Sequence, residues 1–427
     1  MFIHNYPGDG GRCVPLLNRL PELGFAVDII TNSHRHSENE QAVRARIDQR
    51  IRVHETFAFN RTPFRLLSRF GFRELALWLE KLFVFPDIYI LGLPFALLKG
   101  WTVVRSNQID VMMTVSPPES FHLCGWILQK VTSIPWVANF EDLWTDKEHV
   151  FSPPTAMHRW FAEIIERKLY RDCRRLIANT QGNWLHYQRA FAVPRGKISV
   201  VTLGYDESAA PVDAAARPPT RDRLVLGYMG AFDKAGFPWR EFLLAIKRHV
   251  ASPGAFPIEL RLCGEISKKL KMHIASLDLQ NYCVCCGLLS HHEAVARMRE
   301  TDVLVVLMYE TPYSWAIMPQ KTYHYIGLRK RVIGIGEEEG ELNSILRRTG
   351  AGNVTPLSQL ARLNQQLWSL AEEKRLSGYV AHSPVESETT KYSVGVVSTH
   401  LAECLQRCAR TPSTTSAVIT ENQERKQ

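Results

Sequence analysis

Lys321 and His324 sit three residues apart in Met318-Pro-Gln-Lys-Thr-Tyr-His-Tyr-Ile326. If this stretch opens a helix, the two side chains share one face near its N-terminus. Pro319 suits the first turn, where its missing N–H costs nothing. That end of a helix carries partial positive charge and free N–H groups, and a lysine there makes an anion site. The apolar run Val303-Leu-Val-Val-Leu307 precedes it and Arg331-Val-Ile-Gly-Ile335 follows. Strand, anion-binding helix start and strand is how an open α/β sheet holds a phosphorylated ligand at its carboxyl edge. An ordinary crossover with a solvated lysine fits the same residues.

Short apolar runs alternate with longer amphipathic ones along the 427 residues, a length that exceeds one core. Strands are expected at 26–30, 111–115, 136–138, 176–178, 198–202, 224–228, 258–262, 303–307 and 332–335. Helices are expected between them, for example over 153–172 and 291–300. The alternation predicts parallel sheets wrapped by helices. The stretch 206–222, rich in Ala, Pro and Asp, reads as a linker, and the sheet pattern restarts at Leu224. The expected fold is two Rossmann-like doubly wound domains facing across a cleft. They span 1–205 and 223–385, followed by a C-terminal helix within 386–410 that could return to the first domain. The tail 411–427 is poor in apolar residues and is expected to be disordered. Little precedes Tyr6 that could serve as a first strand, which would leave a core face open and suggests a natural start upstream of Met1.

Composition narrows the partners. A net charge of +9 and 45% hydrophobic content describe a basic globular protein suited to anionic ligands or lipid. Nine cysteines without framework spacing point to a reducing compartment. Cys283, Cys285 and Cys286 have the wrong spacing for zinc and read as a buried strand. No basic leader followed by an apolar core opens the chain, so a cytoplasmic location is expected. Residues 59–105 mix arginine with aromatic and aliphatic side chains, as an amphipathic segment at a membrane interface does. Arg61, Arg65, Arg69 and Arg73 would form one basic stripe if the stretch is helical. Pro86, Asp87 and Pro94 interrupt any spanning helix. The same residues fit helices packed on the first sheet. No nucleic-acid recognition fold is present.

Seven motifs in one order resemble retaining glycosyltransferases of the group-1 type, which have the glycosyltransferase-B arrangement. They are Tyr6-Pro-Gly-Asp-Gly-Gly11, Thr114-Val-Ser-Pro-Pro118 with Ile134-Pro-Trp-Val-Ala-Asn-Phe-Glu-Asp-Leu-Trp144, Val201-Thr-Leu-Gly-Tyr-Asp206, Gly227-Tyr-Met-Gly230, Leu262-Cys-Gly-Glu265, Gly287-Leu-Leu-Ser-His-His-Glu-Ala294 and Met318–Ile326. The resemblance runs from Asn5 to about Leu405. It implies a nucleotide-sugar donor held by Gly230, Lys234, Glu265, Pro319, Lys321 and His324. Gly10 and Gly11 would form an acceptor-side loop, with Asp142 and Lys321 as the catalytic pair. Neither a metal nor a further cofactor is implied. Arg240 could join Lys234 on the phosphates, and Glu265 could instead cap the helix that follows it. His4, His122, His291 and His292 are read as structural.

The chain departs from that family at three places. A glutamate expected to hold the ribose hydroxyls is replaced by His324, which accepts one hydrogen bond rather than two. Asn139 and Glu141 stand where the family carries Asp and Arg, and Ala316 stands where many relatives place another acid. The expected function is transfer of a sugar to a lipid-linked acceptor in cell-surface polysaccharide synthesis, at the inner face of the plasma membrane. A catalytically degenerate partner subunit and a nucleotide-sugar epimerase are the alternatives.

Overall fold

A computed structural model describes residues 1–4, 6, 13–32, 44–57, 59, 64–68, 70–146, 153–208, 220–309 and 311–409. Most of the expected linker, the expected tail, and Gly10 and Gly11 lie outside the described residues. The described chain forms two compact units. One comprises residues from 1–179, 187–200 and 399 onward, and the other 180–186 with 201–398.

In the first unit, β1 (Asp28–Asn32) pairs in parallel with β2 (Arg52–Thr56). Strands β3 (Met112–Ser116), β4 (Trp136–Phe140), β5 (Arg175–Ala178) and β6 (Ile198–Val200) form a parallel run in that order. Phe2 joins the two pieces by parallel bridges to Ile30 and Thr114. Its N–H donates to the Met113 carbonyl at 2.9 Å, and the Ile30 N–H donates to the Met1 carbonyl at 2.7 Å. The first strand expected to be nearly absent is therefore supplied by Met1–Ile3. Counted as strand one, it gives the order 3-2-1-4-5-6-7.

The second unit has one parallel sheet in the order β12-β11-β10-β7-β8-β9. Its strands are β7 (Leu224–Met229), β8 (Ile258–Cys263), β9 (Cys283–Gly287), β10 (Val303–Leu307), β11 (Arg331–Ile335) and β12 (Gly352–Thr355). Numbered from β7, this is the 3-2-1-4-5-6 order of a doubly wound fold, which reverses between β7 and β10. Every residue of β10 is buried, as a central parallel strand requires. The cysteine-rich β9 is a strand, but not a buried one. It forms the sheet edge, and Cys285 is exposed.

Beneath the second sheet lies a fully enclosed ion pair. Lys374, on the helix Leu360–Ser377, donates from Nζ to Asp302 Oδ1 at 2.8 Å. The other carboxylate oxygen accepts the Val225 N–H at 2.9 Å, so Asp302 ties the start of β7 to that helix.

Candidate functional site

In an open α/β sheet a ligand site forms at the carboxyl edge where the strand order reverses. In the second unit that point is the end of β7 against the end of β10, and most of the expected donor residues gather there. β7 ends in Tyr228 and Met229, and Gly230 follows. Gly230 has φ +102°, a left-handed conformation that favours glycine. Its N–H donates to the Cys263 carbonyl at 2.8 Å, tying the β7 and β8 loops together. A Cβ on Gly264 would fall 2.4 Å from the Gly230 carbonyl oxygen, so the approach of these loops needs glycine there.

The helix Gln320–Gly327 follows β10, with Pro319 as its N-cap. Pro319 thus sits one residue before the first turn. No side chain caps this helix start, which leaves its amide end to face a ligand. Lys321 extends back over β7. Its Nζ lies 3.8 Å from the centroid of the Tyr228 ring, a cation–π contact. The same atom lies 3.3 Å from where a Cβ on Gly230 would be, so a side chain at 230 would crowd the lysine. Burial, and then the charge of Lys234, push the Lys321 ammonium down to about 7. Among the described residues no carboxylate offsets this desolvated ammonium and its cationic neighbour, and an anionic ligand would supply the counter-charge. Lys234 itself is exposed, with Nζ 5.7 Å from the Phe237 ring centroid.

His324 lies one turn beyond Lys321, partly buried. Its ring centroid is 4.5 Å from that of His291, the first residue of the helix His291–Arg299. Burial, with His291 adding to it, pushes His324 down to about 3. It stays neutral, and Lys321 is the group that changes charge near pH 7. His291, read as structural from sequence, stands beside the site.

Glu265 is exposed on the loop after β8. It does not cap the next helix; Ser267 does, accepting the Leu270 N–H at 3.1 Å. Ala316 is fully buried, and a Cβ on Gly182 would fall 2.5 Å from its Cα. Thr180 Oγ1 donates to the Ala316 carbonyl at 2.7 Å. Backbone packing fills this position, so a longer acidic side chain has no room without moving Gly182.

In the first unit, Asp142 is partly buried just past the carboxyl end of β4. Glu141 before it is buried, and its carboxylate accepts the Cys13 thiol at 3.6 Å. Its carbonyl accepts from Asn179 Nδ2 at 3.3 Å. Sequence reading missed Tyr228, Gly264 and His291 as members of the second unit's site. All three fall inside quoted motifs or beside them, but only folding brings them to Lys321 and His324.

Fold and site together define an α/β protein of two units with a cationic edge on its second sheet. Residues 12–204 match the family described as glycosyl transferase 4-like domain. None of the curated proteins compared with the chain matches it. Solved structures share the fold across nearly the whole length. HepE of Anabaena, solved in complex with UDP, is 14% identical with a TM-score of 0.65, covering 95% of this chain and 99% of its own. A glycosyltransferase from Rickettsia africae is 13% identical, TM-score 0.60, covering 95% and 97%. The lipopolysaccharide outer core galactosyltransferase WaaB is 10% identical, TM-score 0.59, covering 94% and 97%. The chain has the two-Rossmann-domain glycosyltransferase-B fold, and the family match with these neighbours supports a group-1 type glycosyltransferase.

Proposed function

We propose that the protein transfers a sugar from a nucleotide-sugar donor to a lipid-linked acceptor during cell-surface polysaccharide synthesis, in the cytoplasm at the inner face of the membrane. The carrying observation is Lys321, a partly buried ammonium at the reversal point of the second sheet, with no carboxylate partner among the described residues. As the bond from the anomeric carbon to the diphosphate breaks, negative charge grows on the departing oxygen. In this reading Lys321, Lys234 and the open helix start after Pro319 neutralise it. Such a donor site needs neither metal nor further cofactor, and the resemblance implies retention at the sugar carbon. HepE binds UDP, and UDP and glucose, which favours a uridine diphosphate sugar here. WaaB builds lipopolysaccharide core, which favours a surface-polysaccharide acceptor.

A panel of nucleoside diphosphates tested by thermal unfolding checks the donor reading. A ligand at a hundred times its Kd stabilises the native state by about 2.7 kcal/mol. For a unit of this size the midpoint should then rise by roughly 5–10 °C. No shift with any nucleotide would remove the donor reading.

A second reading, a degenerate binding subunit, is favoured by the filled position at Ala316 and by His324 in place of an acid. His324→Glu separates the two. A carboxylate there accepts two hydrogen bonds from ribose hydroxyls, so the variant is expected to bind nucleoside diphosphate severalfold more tightly in calorimetry. Weaker binding would show that the imidazole itself makes the contact. Tight nucleotide binding without turnover in either form would favour the degenerate subunit.

A further inference from the structure

The helix Ala156–Asp172 presents apolar side chains to solvent as well as to the core. Its residues at helical spacing on one side, Met157, Trp160, Phe161 and Ile164, are exposed by 60%, 57%, 46% and 42%. Its opposite side buries His158, Ala162, Glu166, Leu169 and Tyr170. Glu166 is held inside by Thr145 and by the Tyr170 hydroxyl at 2.5 Å, so the carboxyl on the inward side is satisfied. The outward apolar stripe is thus additional to the residues that pack on the core.

A second helix with the same habit adjoins it. Arg73–Phe83 buries only Ala76, leaving Trp78 46% and Phe83 67% exposed. The two helices meet through His158, whose Nε2 lies 3.0 Å from the Leu82 carbonyl and whose ring packs edge-on against Phe85 at 5.8 Å. Among the described residues, every exposed Phe and Trp lies in the first unit; the second exposes one large aromatic, Tyr379. The helical segment Ile88–Ser106 adds an apolar stretch of mean hydropathy 1.3, only 22% buried. Pro94 opens its α-helical part, Leu93–Ser106, rather than interrupting it, and its outward charges are Lys99 and Arg105. The basic stripe expected from Arg61 to Arg73 does not form one helix. Gly71, at φ +87°, separates Arg65–Ser68 from Arg73–Phe83, and Arg61, Arg69 and the Arg65 side chain lie outside the description.

We propose that this double-helix face is a bilayer-insertion surface. Trp78, Phe83, Met157, Trp160 and Phe161 enter the headgroup and upper acyl region of an anionic leaflet. Indole and phenyl rings at an exposed face suit the headgroup region, and on these two helices Arg73, Lys81, Arg159, Arg167 and Lys168 outnumber Glu74, Glu80 and Glu163, which suits an anionic leaflet. Insertion, rather than an arginine stripe, supplies the larger part of the attraction. The inference rests on the lipid-linked-acceptor reading for its purpose, while the surface itself is testable without turnover.

The test uses the full chain with vesicles of phosphatidylcholine and phosphatidylglycerol, followed by sedimentation and tryptophan fluorescence. Binding with a blue shift is expected, weakened but not abolished at 0.5 M salt. The pair Trp160→Ser and Phe161→Ser touch each other, with ring centroids at 4.9 Å, and stand in solvent. The double variant should keep the native unfolding midpoint and nucleotide binding while lowering vesicle partition at least tenfold. Unchanged partition in that variant, complete loss of native binding in salt, or no vesicle binding at all overturns the proposal. So does a concentration-dependent dimer that shifts the fluorescence without lipid, which would make a second copy the occupant. Nucleotide binding measured in parallel separates the outcomes: its absence removes the donor reading and leaves the surface standing.

Discussion

Lys321→Met should weaken nucleoside diphosphate binding by roughly ten- to a hundredfold, since a hydrogen bond to a charged group contributes about 1.5–3 kcal/mol. Methionine keeps the apolar stem against Tyr228, and the fold loses only a cation held at about 7 by burial and by Lys234. The unfolding midpoint should therefore stay or rise. The same lysine sets a pH dependence. In the free protein it is half-charged near pH 7, and a bound diphosphate raises its affinity for the proton. Above pH 7 binding must then take up a proton, so affinity falls as pH rises. Calorimetry at pH 8 in buffers of different ionisation enthalpy should show that uptake in the native protein and not in Lys321→Met. A binding enthalpy independent of buffer would remove Lys321 from the diphosphate. His324, held near 3, adds nothing to this window. For stability the sign is also fixed. Between about 7 and 10.5 the unfolded chain holds a proton on Lys321 that the folded chain does not, so this group's contribution to stability increases with pH.

Lys374→Met should cost the second unit about 3–5 kcal/mol, because it leaves the Asp302 carboxylate buried without its cation. For a unit of this size that lowers the unfolding midpoint by on the order of 10 °C. Adding Asp302→Asn should return most of the loss. The amide oxygen still accepts the Val225 N–H, now 2.9 Å from Asp302 Oδ2, and no charge remains inside. A single variant as stable as the native protein, or a double variant no better than the single, would show that the pair contributes little.

The strands most plainly legible in the sequence are those buried on both faces. Val303–Leu307 and Leu224–Met229 are continuous apolar runs because helices cover both sides of a parallel sheet. β2 escaped because Arg-Val-His-Glu-Thr is polar and half-exposed; it is held by β1 and by Asp28, which binds Arg52 at 2.6 Å and His54 at 2.8 Å. β12 escaped because it is four residues long and starts on Gly352. β9 was legible as a strand but not as an edge, since small apolar thiols do not reveal which neighbour is missing. In the site, Lys321 was legible from local order alone. Tyr228 beneath it and His291 beside His324 were not, because those contacts join the ends of strands far apart in the chain. The acid missing at Ala316 was legible as a departure; its cause, the Gly182 backbone pressed against it, was not.

The first unit is assembled from both ends of the chain. Leu401, Ala402 and Leu405, on the helix Val394–Gln406, are buried, and residues from Thr399 onward belong with residues 1–179. During synthesis the first sheet must therefore wait for its last helix while about two hundred further residues emerge, roughly 10–40 s at ribosomal rates. Through that interval the second unit, continuous from Val201 to Ser398 but for a short piece, has all its strands available before the first is closed. The order of completion is thus the reverse of the order of translation. A nascent chain halted near residue 390 should present a closed second unit and an open first one to chaperones and proteases.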